Sequence, residues 1–199
     1  MYSRLLRIDF DKPFHHGSGF GLAGLVDRPF LRDAGRMPYL SGAALKGKFR
    51  WASLRILRTR RVALCTQQAG GFCRAEPCQL CRMFGSPWHP GQFIFSSAHP
   101  IPEHQAILEL ATSDWRTAGT TVRSTIAIDR TRRVAKNNHL FSSEVALPMT
   151  FAGSIEAGPE AEGWKLLDEC TVILSHFGAD SSRGLGQCIY SIVAEGSAR

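Results

Sequence analysis

Four cysteines, Cys65, Cys73, Cys78 and Cys81, fall within 17 residues, and they constrain this chain more than any other feature. The segment that carries them is rich in Gly and Gln and has little apolar content with which to order itself. Four thiolates ending in Cys-x2-Cys can complete a tetrahedral Zn site. With four sulfurs there is no open coordination position, so such a site would be structural, a zinc-binding insertion over residues 65–81. The spacers of seven, four and two residues are irregular, and the competing reading is a loop of four reduced thiols. Cys170 and Cys188 fall on apolar periodic faces instead and are expected in the core.

The rest of the chain alternates strand and helix patterns. Leu6, Ile8 and Phe10 alternate with polar neighbours, as in a strand whose two faces differ. Gly17, Gly19, Gly21 and Gly24 then interrupt any regular element and predict a loop that can approach a ligand closely, with Asp27 just beyond it. Ser41 and Gly42 open a predicted helix of about 18 residues, with Leu45, Phe49, Ala52 and Ile56 on one buried face. Phe93 and Phe95 suggest a strand, as do Ile126 and Ile128, and residues 129–143 read as a polar projecting hairpin or long loop. Leu166, Cys170, Ile173, Leu174 and Phe177 predict a helix stopped by Gly178, and Cys188, Tyr190 and Ile192 a final strand. The order fits one α+β domain of the ferredoxin or RNA-recognition type, spanning residues 1–199 with long inserts.

Charge points to a polyanionic partner. The formal net charge is +7, which favours nucleic acid but is also compatible with plain solubility, so placement decides. Lys46 and Arg50 lie together on one strip of the first helix, with Lys48 and Arg55 on the other flank. Arg58, Arg60 and Arg61 crowd its C-terminal end, where the helix dipole already accounts for them. The turn Gly178–Gly186 offers backbone N–H groups, Ser181, Ser182 and Arg183 to a phosphate, or is simply a tight connection. Asp27 could hold a divalent cation or orient a ribose hydroxyl, although an isolated Asp is more often a turn residue. His15 and His16 could act as acid and base, or be inert. No stretch approaches the ~20 apolar residues of a membrane span, and a cytoplasmic, unprocessed protein without a membrane partner is expected.

Several short segments together resemble the RAMP (repeat-associated mysterious protein) superfamily. They are His16-Gly17, Gly24 to Pro29, Pro38 to Arg50, Cys81-Arg82-Met83-Phe84-Gly85 and Ser182 to Gly186. The sequence is similar to the Cas-seven-like backbone subunits of type III CRISPR effector complexes. That resemblance implies a modified RNA-recognition fold with a thumb hairpin near residues 122–145, polymerised with copies of itself along a guide RNA beside other effector subunits. It maps guide contacts onto Ser41, Lys46, Arg50, Ser182 and Arg183. Lys48 and the hairpin residues Arg130, Arg132 and Arg133 are further RNA-binding candidates. Cleaving members of the family use an aspartate at the position of Asp27, so the expected function is guide-RNA binding with metal-dependent cleavage of the paired target RNA. Zn would be structural and Mg or another divalent cation catalytic. The alternatives are a scaffold that leaves cutting to another nuclease and a metal-independent histidine nuclease.

Overall fold

The computed structural model describes residues 2–17, 19, 26–65, 71–110, 119–158 and 161–194. Ser18, part of the expected glycine loop (20–25, with Gly21, Gly24 and Leu25) and part of the cysteine insertion (66–70) lie outside the described residues.

Strand β1 (Tyr2–Phe10) forms where the alternation predicts it, and Leu6, Ile8 and Phe10 are buried. Helix α1 (Gly42–Thr59) begins at Ser41, whose side chain accepts a hydrogen bond from the Ala44 N–H and so satisfies one of the free amides of the first turn. Leu45, Phe49, Ala52 and Leu57 form its buried face, while Ile56 packs at the margin of the core. The short helix α2 (Gln79–Phe84) carries Cys81 and follows the insertion. The two-residue strands β2 (Ile94–Phe95) and β3 (His99–Pro100) lead into α3 (Pro102–Leu110).

Strands β4 (Thr120–Asp129) and β5 (Val134–Ala146) make a separate two-stranded antiparallel sheet, followed by β6 (Thr150–Ala157), α4 (Trp164–Ile173) and β7 (Cys188–Ala194). The main sheet runs β2-β6-β1-β7, with β3 also paired to β6, and every pairing is antiparallel. The core lies where α1 and α4 meet each other and the sheet: Phe49, Phe95 and Tyr190 pack ring on ring, and Phe10, Phe14, Phe151 and Phe177 form a second aromatic group. Cys170 and Cys188 are buried within this core, as expected.

Helix α4 is shorter than the apolar spacing predicts. It ends at Ile173, Leu174 is extended, and Phe177 is buried from the connection that follows. Leu174 and Phe177 keep a helical interval in sequence, but Phe177 lies in the connection, its N–H donating to the Gly186 carbonyl and its ring packed against Phe10 and His16. No helix among the described residues is long and apolar enough to cross a membrane.

Candidate nucleic-acid interface and metal site

Segment 14–17 holds the site together. Phe14 exchanges backbone hydrogen bonds with Ala146 at the root of β5, and the His15 carbonyl accepts from the Ala179 N–H in the glycine-rich turn. That turn comes so close that a side chain at Gly178 (φ +90°) would place its Cβ 2.2 Å from the His15 oxygen, so glycine is required there. Gly186 (φ +76°) is equally confined, 2.1 Å from the Phe177 oxygen.

Two openings flank this framework. One, of about 440 Å³, is lined by His15, His16, Gly17, Gly19, Asp27, Arg28, Pro29, Gly178 and Ala179. Asp27 is exposed at its edge. The carboxylate Oδ2 accepts from both the Ser142 N–H (2.7 Å) and the Ser142 hydroxyl (2.9 Å), and the Asp27 N–H donates back to the same hydroxyl at 3.0 Å. These bonds, the backbone one first, hold the Asp27 carboxyl below its usual range. Asp27 is therefore not the free loop residue that the sequence suggests, because segment 26–30 lies alongside β5: Arg28 N–H donates to Ser142 O, and Glu144 N–H to Arg28 O. Arg28 also reaches Asp180 at 3.0 Å.

The histidines beside Asp27 are engaged. His15 is buried, with Nδ1 2.6 Å from the Glu144 carbonyl. Burial, and then the neighbouring His15, push the His16 pKa down to about 4. The neutral His16 Nε2 accepts from the Ser41 N–H at 3.3 Å, which ties this segment to the cap of α1. His16 is thus neutral at neutral pH and engaged at Nε2.

The second opening, also about 440 Å³, is lined by Lys48, Trp51, Ile173, Leu174, Ser175, His176, Ser181 and Ser182. It joins one flank of α1 to the hydroxyl end of the glycine-rich turn. Trp51, 48% exposed, also borders a neighbouring depression with Arg55 and Arg60, and the Arg55 guanidinium lies 4.8 Å from its ring centre. Trp51 had no place in the sequence reading; an aromatic between Arg50 and Arg55 on a basic helix was its only signal. Lys46 is half-buried on α1, and Arg183 is exposed near Asp180 and beside Arg123 of the hairpin.

Arg50 lies on α1 one turn from Lys46, as the sequence places it, and its guanidinium also donates to the Gly85 carbonyl at 2.8 Å and lies 5.8 Å from the Phe72 ring centre. That geometry braces α1 against the end of α2, because a carbonyl left free at a helix terminus needs a donor.

The β4–β5 hairpin is exposed on both faces from its tip to Phe141, and only its root is buried. At the tip, Asp129 Oδ1 accepts from the Thr131 and Arg132 N–H groups, presenting Arg130, Arg132 and Arg133 to solvent. At the root, the buried Glu144 carboxylate accepts from Phe30 N–H (2.7 Å), Thr120 Oγ1 (2.6 Å) and Arg32 Nη2 (2.5 Å). Burial alone would raise its pKa, but these donors outweigh it and the net shift is downward.

The four cysteines of the insertion converge. One ligand atom from each of Cys65, Cys73, Cys78 and Cys81 lies within 4.8 Å of all the others, a set that could hold a metal ion. Cys65 Sγ is 3.4 Å from Cys81 Sγ and 3.7 Å from Cys78 Sγ. Sulfurs bound tetrahedrally at Zn–S distances of about 2.3 Å stand roughly 3.8 Å apart, so the spacing suits zinc. Burial, with hydrogen bonds from the other thiols, pushes Cys65 up to about 12. At Cys78 burial acts upward too, but hydrogen bonds from the Cys65 and Cys81 backbones outweigh it and bring the thiol to about 7.

The chain is similar to known proteins in sequence and in fold. The family model described as the RAMP superfamily matches residues 7–189. The "CRISPR system Cms endoribonuclease Csm3" of Methanothermobacter thermautotrophicus is 43% identical over 64 residues, which make up 32% of this chain. The match spans only 23% of that relative's length. The fold is similar to chains in two cryo-electron microscopy structures of Type III-B Cmr-beta, one bound to cognate target RNA and one in the apo state. Both have a TM-score of 0.67, at 12% and 13% identity, covering 96% and 98% of this chain and 97% and 98% of those chains.

Proposed function

This chain belongs to the RAMP superfamily, and from that premise we propose that it is a Cas-seven-like backbone subunit of a type III CRISPR effector complex, binding guide RNA and cleaving the paired target. The observation that carries the proposal is the groove in which Lys48 of α1 meets Ser181 and Ser182 of the glycine-rich turn. Segments from opposite ends of the chain supply a cation and two hydroxyls to one surface, the donor set that a sugar-phosphate backbone needs. Trp51 adds a face on which a base can stack. The sheet order β7-β1-β6-β2, with α1 and α4 packed together, supports the modified ferredoxin-like reading. The β4–β5 hairpin is then the thumb, its arginine tip reaching the guide–target duplex, with further copies and other effector subunits continuing along the guide.

Cleavage rests on Asp27. A divalent cation at its carboxylate would supply charge to a phosphate, and one carboxylate with substrate oxygens is a ligand set that Mg accepts. Asp27 holds the cation or orients a ribose 2'-hydroxyl. The 2'-hydroxyl gives up its proton to water as its oxygen bonds to the adjacent phosphorus, and the P–O5' bond breaks with the leaving 5'-oxygen taking a proton from water, giving a 2',3'-cyclic phosphate and a 5'-hydroxyl. Asp27 is the one carboxylate among the described residues lining its cleft, and this isolation is what favours the second reading, a scaffold without cleavage of its own. In either reading Cys65, Cys73, Cys78 and Cys81 hold a structural zinc.

Guide binding is tested by titrating a fluorescently labelled CRISPR RNA with wild-type protein and with Lys48→Ala/Ser182→Ala over a range of salt. The double variant should bind more weakly and lose about 0.7 from the slope of log K against log salt for the one phosphate partner removed with Lys48. Unchanged affinity and slope would move the guide off this groove.

A further inference from the structure

We infer that Ser142 is the positioning residue that fixes the Asp27 carboxylate and couples it to the root of the β4–β5 hairpin. The inference rests on the proposed role of Asp27 in cleavage and assigns a second residue to that site.

The geometry is reciprocal. Ser142 gives Asp27 Oδ2 two donors, its N–H at 2.7 Å and its hydroxyl at 2.9 Å, while the Asp27 N–H donates to the same hydroxyl. A carboxylate with one oxygen held in this way has lost the freedom to rotate about its Cβ–Cγ bond, and among the described residues Ser142 engages Oδ2 and not Oδ1. An exposed aspartate in a glycine-rich neighbourhood would otherwise sample many orientations, and misplacement of a reacting group is costly to rate.

Ser142 also occupies a boundary. Along β5, residues through Phe141 are exposed, Ser142 is half-buried, and Ser143 to Ala146 are buried. The exposed arm of the hairpin therefore meets the fixed core at the residue that grips Asp27. On the core side, Glu144 N–H holds the Arg28 carbonyl, the Glu144 carboxylate holds the Phe30 N–H, and Ala146 pairs with Phe14. A displacement of the arm would therefore reach the carboxylate through Ser142, the residue at the boundary that bonds it.

The experiment compares wild type, Ser142→Ala, Ser142→Thr and Asp27→Ala in guide-loaded complexes cutting a complementary RNA, with rates measured across pH. Ser142→Ala should lower the cleavage rate about tenfold, as expected for a lost hydrogen bond to a charged group, with guide affinity unchanged. Its acid limb should shift to higher pH, because the Asp27 carboxylate loses a donor that favours its charged form. Ser142→Thr should restore both. If Asp27→Ala is dead but Ser142→Ala matches wild type in rate and acid limb, the positioning role is overturned while the cleavage reading stands. If Asp27→Ala cuts like wild type, the cleavage reading itself fails. Should wild type not cut, carboxyl carbon NMR titration of Asp27 in the full chain decides the Ser142 contact, with the resonance assigned by its loss in Asp27→Asn. A titration midpoint that does not rise in Ser142→Ala overturns the inference.

Discussion

The cysteine insertion and the β4–β5 hairpin both extend from the core between sheet and helices, and they differ in what holds them. The insertion converges four thiols within 4.8 Å, and Cys81, one of the four, is itself buried beside Leu80 and Met83 of α2. The hairpin has no such staple. Its outer length is exposed on both faces, with Val122, Ile126, Ile128 and Leu140 all more than half or about half in solvent. A lone two-stranded hairpin is marginal in water, so its register depends on the root, where Glu144 gathers Thr120, Phe30 and Arg32. Closed on the proposed zinc, the insertion would keep its shape whatever touches it. A segment anchored only at its base leaves its tip to be shaped by a partner.

Removing the metal should break that contrast with the largest effect. Structural zinc contributes about 10–16 kcal/mol in small zinc-binding peptides, far more than any single contact at the hairpin root. Chelation or Cys81→Ser should abolish bound zinc and remove hydrogen-exchange protection across residues 71–84. The β4–β5 amides should keep theirs. Zinc-free protein whose insertion stays protected would show that packing against α2, and not the thiolates, orders it.

Glu144→Ala should do the opposite at a smaller scale. It leaves the Arg32 guanidinium, the Phe30 N–H and the Thr120 hydroxyl without their shared acceptor, and breaking a buried pair costs about 3–5 kcal/mol. The hairpin amides should lose protection while zinc content stays the same. The linked pH dependence has a definite sign. The Glu144 pKa is depressed in the folded protein, so its contribution is present above its ordinary value and is lost as pH falls through the lower folded one. His16, held neutral to about pH 4, weakens the fold earlier, because the unfolded chain takes up a proton as pH drops through its ordinary value of about 6.5. Global stability should thus decline below that point in wild type and Glu144→Ala alike, and only wild type should show the further loss at lower pH that comes from protonating Glu144.

Features decided by local chemistry were legible in the sequence. The alternation of Leu6, Ile8 and Phe10, the Ser41 cap and the α1 face all lie where their periodicity places them. The cysteines also converge as their spacing suggests. Features decided by contacts between distant segments were not legible. Nothing near Asp27 announces Ser142, 115 residues away, and Glu144 reads as one more surface charge until Arg32 and Thr120 are brought to it. That Arg50 shares a strip with Lys46 is a local fact of helical spacing, whereas its bond to the Gly85 carbonyl depends on where α2 docks. Phe177 extended a helical pattern for the same reason: burial from a connection and burial from a helix leave the same apolar letter in the sequence.

The smallest expected effect on stability sharpens the contrast at the free end of the hairpin. Arg130, Arg132 and Arg133 stand at a tip whose turn is set by Asp129, through bonds from the Thr131 and Arg132 N–H groups to its carboxylate and from the Arg133 N–H to its carbonyl. None of those bonds uses an arginine side chain. Replacing all three arginines with alanine keeps the backbone donors, and at Arg133, already left-handed at φ +56°, alanine faces the same backbone cost as arginine. Stability should change by less than about 0.5 kcal/mol, as for surface substitutions away from specific contacts. Binding to a guide–target duplex should respond instead, since each cation that neutralises a phosphate releases a counterion, and the slope of log K against log salt should fall by roughly 2–3. Thermal unfolding and the salt titration together separate the two outcomes. A lower unfolding midpoint with an unchanged slope would mean that the arginines serve the hairpin and that its tip, like the insertion, keeps its shape without a partner.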